Sequence, residues 1–183
     1  SVLIPSRART ELLSRIVKQL IESTKITGSL EVCVYVDDDD TETLEMCGLL
    51  GSVVTAHVRP RVGYENLFWM YDELSKIATG RWTWFLNDDV KIYQKIGDDW
   101  LGFLSLQPNN ILMYPEISML HDSVYIREKK GPFPIAPALS WNIKGDTRLY
   151  GPVDEYIWGL LRDRWQWEVK WIPGLIVRHD RPA

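Results

Sequence analysis

The stretch Trp82-Thr83-Trp84-Phe85-Leu86-Asn87-Asp88-Asp89-Val90 decides how this chain is read. Its first five residues form an apolar, aromatic-rich run of strand length, which then breaks into an amide and two adjacent carboxylates. Asn-Asp-Asp is ordinary turn chemistry, because short polar side chains satisfy nearby backbone groups. Adjacent carboxylates at the end of a rigid strand equally suit Mg²⁺ or Mn²⁺, hard cations that take oxygen ligands and leave positions for water and phosphate. The rest of the chain decides between these two readings.

Upstream, Val2 to Ile4 is a short apolar strand, followed by the loop Pro5-Ser6-Arg7-Ala8-Arg9 and by Thr10 as N-cap, with Glu11 in the first turn. Leu12, Leu13, Ile16, Val17, Leu20 and Ile21 then line one face of a helix, with Arg15, Lys18, Gln19 and Glu22 turned to water. Leu30 to Val36 is a second strand. It ends in Asp37-Asp38-Asp39-Asp40, a run too charged to be buried without partners. A short helix around Thr43 to Leu50, a strand over Val53 to Val58, a loop from Arg59 to Glu65 and a helix over Asn66 to Ala78 lead into the Trp82 run.

Strands alternating with helices in this order predict an α/β domain with a Rossmann-like, mostly parallel central sheet, right-handed crossovers and flanking helices. In such sheets ligands bind beyond the carboxyl ends of the strands. Here those ends carry Pro5-Ser6-Arg7, Asp37 to Asp40, Arg59 with Arg61, and Asn87-Asp88-Asp89. An acidic pair for a metal, an acid for a base or ribose edge and arginines for phosphates are the parts a nucleoside-diphosphate site needs.

Composition bounds the reading. At 183 residues, 45% hydrophobic and 25% charged, the chain has the size and balance of one globular domain. A net charge of -4 argues against a nucleic-acid surface, which needs clustered Lys and Arg. Cys33 and Cys47 are too few for a disulfide framework and lack metal-ligand spacing. No apolar run reaches the length of a transmembrane segment. The expectation is a soluble, cytoplasmic single domain over residues 1–183, with a nucleotide-binding half over about 1–90 and an acceptor-binding half over about 91–183.

Five motifs, taken in order, carry a family resemblance: Leu3-Ile4-Pro5-Ser6-Arg7, Val34-Tyr35-Val36-Asp37-Asp38, Phe85-Leu86-Asn87-Asp88-Asp89-Val90, Tyr150-Gly151-Pro152-Val153-Asp154-Glu155 and Val177-Arg178-His179. Their order and spacing resemble the GT-A class of nucleotide-sugar-dependent glycosyltransferases, most like the inverting family 2, over nearly the whole chain. In that resemblance the first motif is the opening strand and nucleoside loop, the second the base-binding acidic strand end, and the third the DXD motif. The fourth is an acceptor-side acidic motif opening a helix, and the last is the C-terminal histidine that often joins the metal shell.

The resemblance implies that Asp89 and His179 coordinate Mn²⁺ or Mg²⁺, with Asp88 or Asn87 reaching the ribose or a metal-bound water. It implies that Asp37 or Asp38 accepts from the base or ribose, that Arg61 and Arg7 lie near the nucleoside and diphosphate, and that Pro5 and Ser6 belong to the nucleotide loop. The implied activity is hexosyl transfer from a nucleotide sugar, UDP-sugar favoured, to a glycan or other hydroxyl acceptor. One departure is Asn87, which carries one charge fewer than the Asp of the family pattern.

The chemistry itself needs a Lewis acid at the departing diphosphate and a base at the acceptor hydroxyl. Asp154 and Glu155, opening the helix of Ile157, Leu160 and Leu161, are the candidates for the base; the further Asp common in the family pattern is Tyr156 here. Acids at a helix start are also natural capping groups. Trp165, Trp167, Val169 and Trp171 alternate with polar residues, the period of a strand with one buried face, whereas Trp141 and Trp158 are placed to stack on an acceptor sugar. His57 and His121 read as structural. A related nucleotidyltransferase is disfavoured because Pro5 to Arg9 contains no glycine, and a noncatalytic sugar- or nucleotide-binding domain is the remaining alternative.

Overall fold

A computed structural model describes residues 1–94, 99–121, 124–128, 133–138 and 166–182. In the first half, strands β1 (Val2–Pro5), β2 (Val32–Asp37), β3 (Val54–Arg59) and β4 (Trp82–Phe85) alternate with helices α1 (Thr10–Glu22), α2 (Thr41–Leu49) and α3 (Leu67–Ile77). In the second half, β5 (Val90–Gln94), the short helix α4 (Trp100–Ser105), β6 (Ile111–His121), β7 (Val124–Glu128), β8 (Ile135–Pro137) and β9 (Glu168–Pro182) follow.

The described strands make one sheet in the order β3-β2-β1-β4-β8-β6-β9-β5, with β7 paired to β6. β1, β2, β3 and β4 pair in parallel, as the alternating pattern requires. Beyond β4 the sheet is mixed: β8 runs antiparallel to β4 and β6, β5 antiparallel to β9, and β9 parallel to β6. The chain builds β1 to β3 outward in one direction and returns to place β4 on the other side of β1. That reversal opens a crevice at the carboxyl ends of β1 and β4.

Both faces of the first strands are covered, which is why β2 and β4 are buried at every position. On one face Val2, Ile4, Val32, Val34, Val36, Trp82 and Trp84 meet Leu13, Ile16, Val17 and Leu20 of α1, Cys47 of α2 and Trp100 and Leu104 of α4. On the other face Leu3, Cys33, Tyr35 and Phe85 meet Phe68, Met70, Tyr71 and Leu74 of α3. Alternate strand residues therefore serve two separate cores. Cys33 and Cys47 are both buried free thiols, pushed up to about 12 and about 11 by desolvation.

Three local expectations change. Thr10 is the first residue of α1 rather than its cap; the cap is Arg9, which makes no side-chain capping bond because its guanidinium is engaged elsewhere. Gln19 does not face water: its Oε1 accepts from the Ile92 N–H at 3.0 Å and ties α1 to β5. Trp171 is 39% exposed and packs its ring on Tyr114 at 5.6 Å, so the alternation from Trp167 gives a half-covered edge and not a buried face. Among the described residues no helix is long and apolar enough to cross a membrane.

Candidate functional site

The site begins with a loop of five residues. β1 delivers Pro5, Ser6, Arg7, Ala8 and Arg9 to the carboxyl edge, where the two arginines part company. Ala8 has φ 51°, a left-handed conformation unusual for a residue with a Cβ, and its N–H is held by Asp40 Oδ2 at 2.7 Å. Asp40 also accepts from the Thr43 N–H at 3.2 Å and the Thr43 hydroxyl at 2.6 Å, so one carboxylate caps α2 and pins the β1 loop. Burial pushes its carboxyl up, and these donors together pull it below the usual value.

Arg7 turns toward β2. Its Nη1 donates to Asp37 Oδ2 at 2.8 Å, and the guanidinium forks onto Asp39, with Nη2 at 2.9 Å from Oδ2. Arg7 accordingly holds Asp39 below the usual carboxylate range, chiefly through this hydrogen bond, and is itself raised. Asp37 is buried and its Oδ1 has no hydrogen-bond partner among the described residues, which leaves an acceptor uncommitted. Arg61 approaches Asp39 from β3's loop at 3.9 Å and is largely exposed.

Arg9 turns the other way, across the β1–β4 crevice. Its Nη1 donates to Asp88 Oδ1 at 2.9 Å, while the Ser6 hydroxyl donates to Asp88 Oδ2 at 2.8 Å. Asp88 is 2% exposed, so both of its oxygens are satisfied inside the protein. Burial pushes its carboxyl up, opposed by Ser6 and Arg9. The same Arg9 nitrogen lies 3.7 Å from Asp89 Oδ2. Neighbouring Asn87 is held by α3, where the Tyr71 hydroxyl lies 3.0 Å from both Asn87 Oδ1 and the Leu86 carbonyl oxygen.

His179 arrives from the far end of the sequence. β9 pairs with β5 so that His179 stands opposite Val90, the residue after Asp89. Its Nε2 is 3.4 Å from Asp89 Oδ1, and its ring meets Phe133 edge-on at 6.2 Å. Both ring nitrogens are buried, and neither makes a hydrogen bond among the described residues. A buried imidazole with uncommitted nitrogens, set against a carboxylate, fits a divalent cation. Two side chains do not close a cage, and no three His, Cys, Asp or Glu among the described residues cluster as metal ligands. Mg²⁺-type sites at phosphates complete their shells with phosphate oxygens and water.

Between these groups lies a cleft of about 280 Å³, lined by Pro5, Ser6, Arg7, Arg9, Asp37, Arg61, Asn87, Asp88 and Asp89, with Tyr35, Gly63, Tyr64, Leu67 and Met70. Of the residues singled out from the sequence, Pro5, Ser6, Arg7, Asp37, Arg61, Asn87, Asp88 and Asp89 share this cleft, and His179 stands beside Asp89. Asp38 is exposed and is not part of the lining, so the structure brings Asp37, and not its neighbour, to the cleft. Arg59 is also elsewhere, with its Nε donating to Glu73 Oε2 at 3.0 Å. His57, 3.5 Å from the same carboxylate oxygen, belongs to that outer network. Asp154, Glu155, Trp141 and Trp158 lie outside the described residues.

Sequence reasoning passed over Arg9 and the Gly63–Met70 wall. The signal for Arg9 was present: Asp88 directly follows a buried strand and needs a countercharge, and Arg9 is carried by the adjacent strand's loop. The wall was hidden because Leu67 and Met70 obey helical spacing, which reads as core; here that helix also presents residues to the cleft.

No protein-family model matches the sequence, and none of the curated proteins does. Solved structures are similar in fold. GalNAc-T7, in its crystal structure with UDP, GalNAc and Mn²⁺, superposes with a TM-score of 0.71 at 15% identity, covering 100% of this chain and 43% of that one. S. aureus TarS 1-349 in complex with UDP superposes with a TM-score of 0.69 at 12% identity, covering 99% of this chain and 58% of that one. The chain thus spans about two fifths to three fifths of the length of these structures. The fold is that of the GT-A glycosyltransferases: a mixed α/β sheet flanked by helices.

Proposed function

We propose that this chain is a divalent-metal-dependent glycosyltransferase domain. It moves a hexosyl group from a nucleoside-diphosphate sugar, UDP-sugar favoured, to a hydroxyl of a glycan or other acceptor, with inversion as in family 2. The observation that carries this reading is the meeting of Asp89 and an uncommitted His179 imidazole, 3.4 Å apart, beside a cleft that also holds arginines and a spare acceptor on Asp37. The similar structures with UDP, and with UDP and Mn²⁺, support it.

Glycosyl transfer places negative charge on the departing diphosphate. Asp89 and His179 would hold Mn²⁺ or Mg²⁺, which when bound supplies Lewis-acid neutralisation of that charge. Asp37 Oδ1 accepts from the base or ribose, and exposed Arg61 is free to swing onto a phosphate. Arg7 orients Asp37 from inside the loop of Pro5 and Ser6. The Asn87 amide, steadied by Tyr71, reaches the ribose or a metal-bound water. Asp88 acts from below: fixed by Ser6 and Arg9, it sets the backbone that aims Asp89.

Apart from His179, every cleft residue named here falls within the first 89 positions, consistent with a nucleotide half over about 1–90 and an acceptor half over about 91–183. In that second half Asp154 or Glu155 takes the acceptor's proton, a step typically worth ~10²–10⁴-fold, and Trp141 and Trp158 stack on the acceptor. The test is calorimetry of UDP-, GDP-, dTDP- and CMP-linked sugars with and without Mn²⁺, on the wild type and Asp89→Ala. Metal-dependent binding of one nucleotide class, abolished in Asp89→Ala, is expected. Binding indifferent to metal and to Asp89 would refute the assignment.

A further inference from the structure

We propose that Arg9 makes metal and nucleotide binding mutually dependent, an inference that rests on the donor site proposed above. Asp89 offers its two oxygens to two different partners: Oδ1 is 3.4 Å from His179 Nε2, and Oδ2 is 3.7 Å from Arg9 Nη1. A cation held by Asp89 and His179 therefore shares a carboxylate with a guanidinium, a group that does not lose its charge in a protein. Arg9 cannot simply drift away. Its Nη1 is bonded to Asp88 Oδ1 at 2.9 Å, Asp88 is buried and braced by Ser6, and the left-handed backbone at Ala8 is fixed by Asp40.

The charges of the cleft make the consequence definite. Among the described lining residues, Arg7, Arg9 and Arg61 stand against Asp37, Asp88 and Asp89, so the lining is balanced before anything binds. A dication alone leaves it positive; a nucleoside diphosphate alone leaves it negative; both together bring it back near balance. Each ligand thus relieves the electrostatic cost of the other in a partly dry site, where charges are weakly screened. Arg7 and Arg61 sit on the Asp39 side, whereas Arg9 bridges the two acids at the metal position. Arg9 is a positioning residue: it acts on the metal through Asp89 and sets how strongly the two ligands call for each other. By linkage, the factor by which UDP tightens Mn²⁺ equals the factor by which Mn²⁺ tightens UDP.

The experiment measures Mn²⁺ binding from the loss of the free-ion EPR signal, and UDP binding by calorimetry, each ligand alone and each in saturating amounts of the other. In the wild type the mutual factor is expected to be on the order of tenfold or more. In Arg9→Gln, Mn²⁺ alone binds more tightly than to the wild type and the mutual factor falls toward one, while Arg9→Lys, which keeps the charge, retains most of it. Because Arg9→Gln leaves Asp88 buried without its cation, the paired variant Arg9→Gln/Asp88→Asn removes acid and base together and should show the same loss. A wild-type factor that persists in either folded variant overturns the role of Arg9 and leaves the donor site standing. UDP binding to the wild type that ignores Mn²⁺ overturns the coupling together with the metal half of the donor reading.

Discussion

Replacing Ser6 by Ala removes one hydroxyl and tests whether the buried Asp88 is the keystone of the crevice. The hydroxyl donates to Asp88 Oδ2 at 2.8 Å, with Ser6 and Asp88 respectively 6% and 2% exposed. A hydrogen bond to a charged group is worth about 1.5–3 kcal/mol, and here its loss leaves one oxygen of a desolvated carboxylate without that donor. Ser6 lines the cleft, so water from the cleft replaces part of the bond, and about 2 kcal/mol is the expected loss. For a domain of this size that corresponds to a fall in Tm of about 4–8 °C. Urea unfolding at pH 7 should show a lower midpoint at unchanged slope. In an Asp88→Asn background the same Ser6→Ala change should cost about 1 kcal/mol less, because the charge it served is gone. A cost below about 0.5 kcal/mol in the wild-type background, within the range of ordinary surface substitutions, would refute the reasoning.

Gly63, at the cleft wall, has φ 81° and ψ 157°, a region that is open essentially to glycine, and an added Cβ would meet the Glu65 carboxyl at 2.5 Å. Gly63→Ala should therefore lose about 1–3 kcal/mol in urea unfolding and weaken UDP binding in calorimetry, since Arg61 and Tyr64 flank the strained residue. Glu73 is lowered from 4.5 to about 2, first by Lys76 against the opposing effect of burial, then by Arg59 and His57. A depressed folded-state value stabilises the fold above 4.5 and is lost as pH falls from there toward 2. Lys76 and Arg59 are substantially exposed, so Glu73→Gln should cost only about 1 kcal/mol at pH 7, a difference that urea unfolding should find shrinking steadily below pH 4.5.

The first half of this fold was legible because each element has its own local signal. The helical stripe from Leu13 to Leu20 packs as read, and β1 to β4 fall within two residues of their expected bounds. The errors there come from side chains with tertiary partners, such as Gln19 reaching β5 and Arg9 reaching Asp88, which no periodicity reports. The second half lacks such signals. β8 is three residues long, and β6 carries Pro115, which has no N–H to give; opposite it the pairing shifts register between Tyr114 and Glu116. β9 runs through Pro173 and Gly174, with Gly174 at φ 72°, so its reading as a strand depends on partners remote in sequence. The same division holds at the site. Asp89 and Asp37 stand out as charges at the ends of apolar strands, whereas His179 was legible only through resemblance, because nothing near it in sequence marks it as a ligand.

The insertion of β9 between β6 and β5 has a consequence for synthesis on the ribosome. When β5 emerges, its partner is still nearly ninety residues away, since Val90 pairs with His179. The crevice with Arg9, Asp88 and Asp89 can assemble early from neighbouring elements, but the strand that brings the imidazole must slot into a gap between strands made long before. Such non-local closure is the slow part of folding. A nascent or truncated chain is then expected to hold the acids in place while lacking the nitrogen donor, so competence to hold metal would mark a finished sheet.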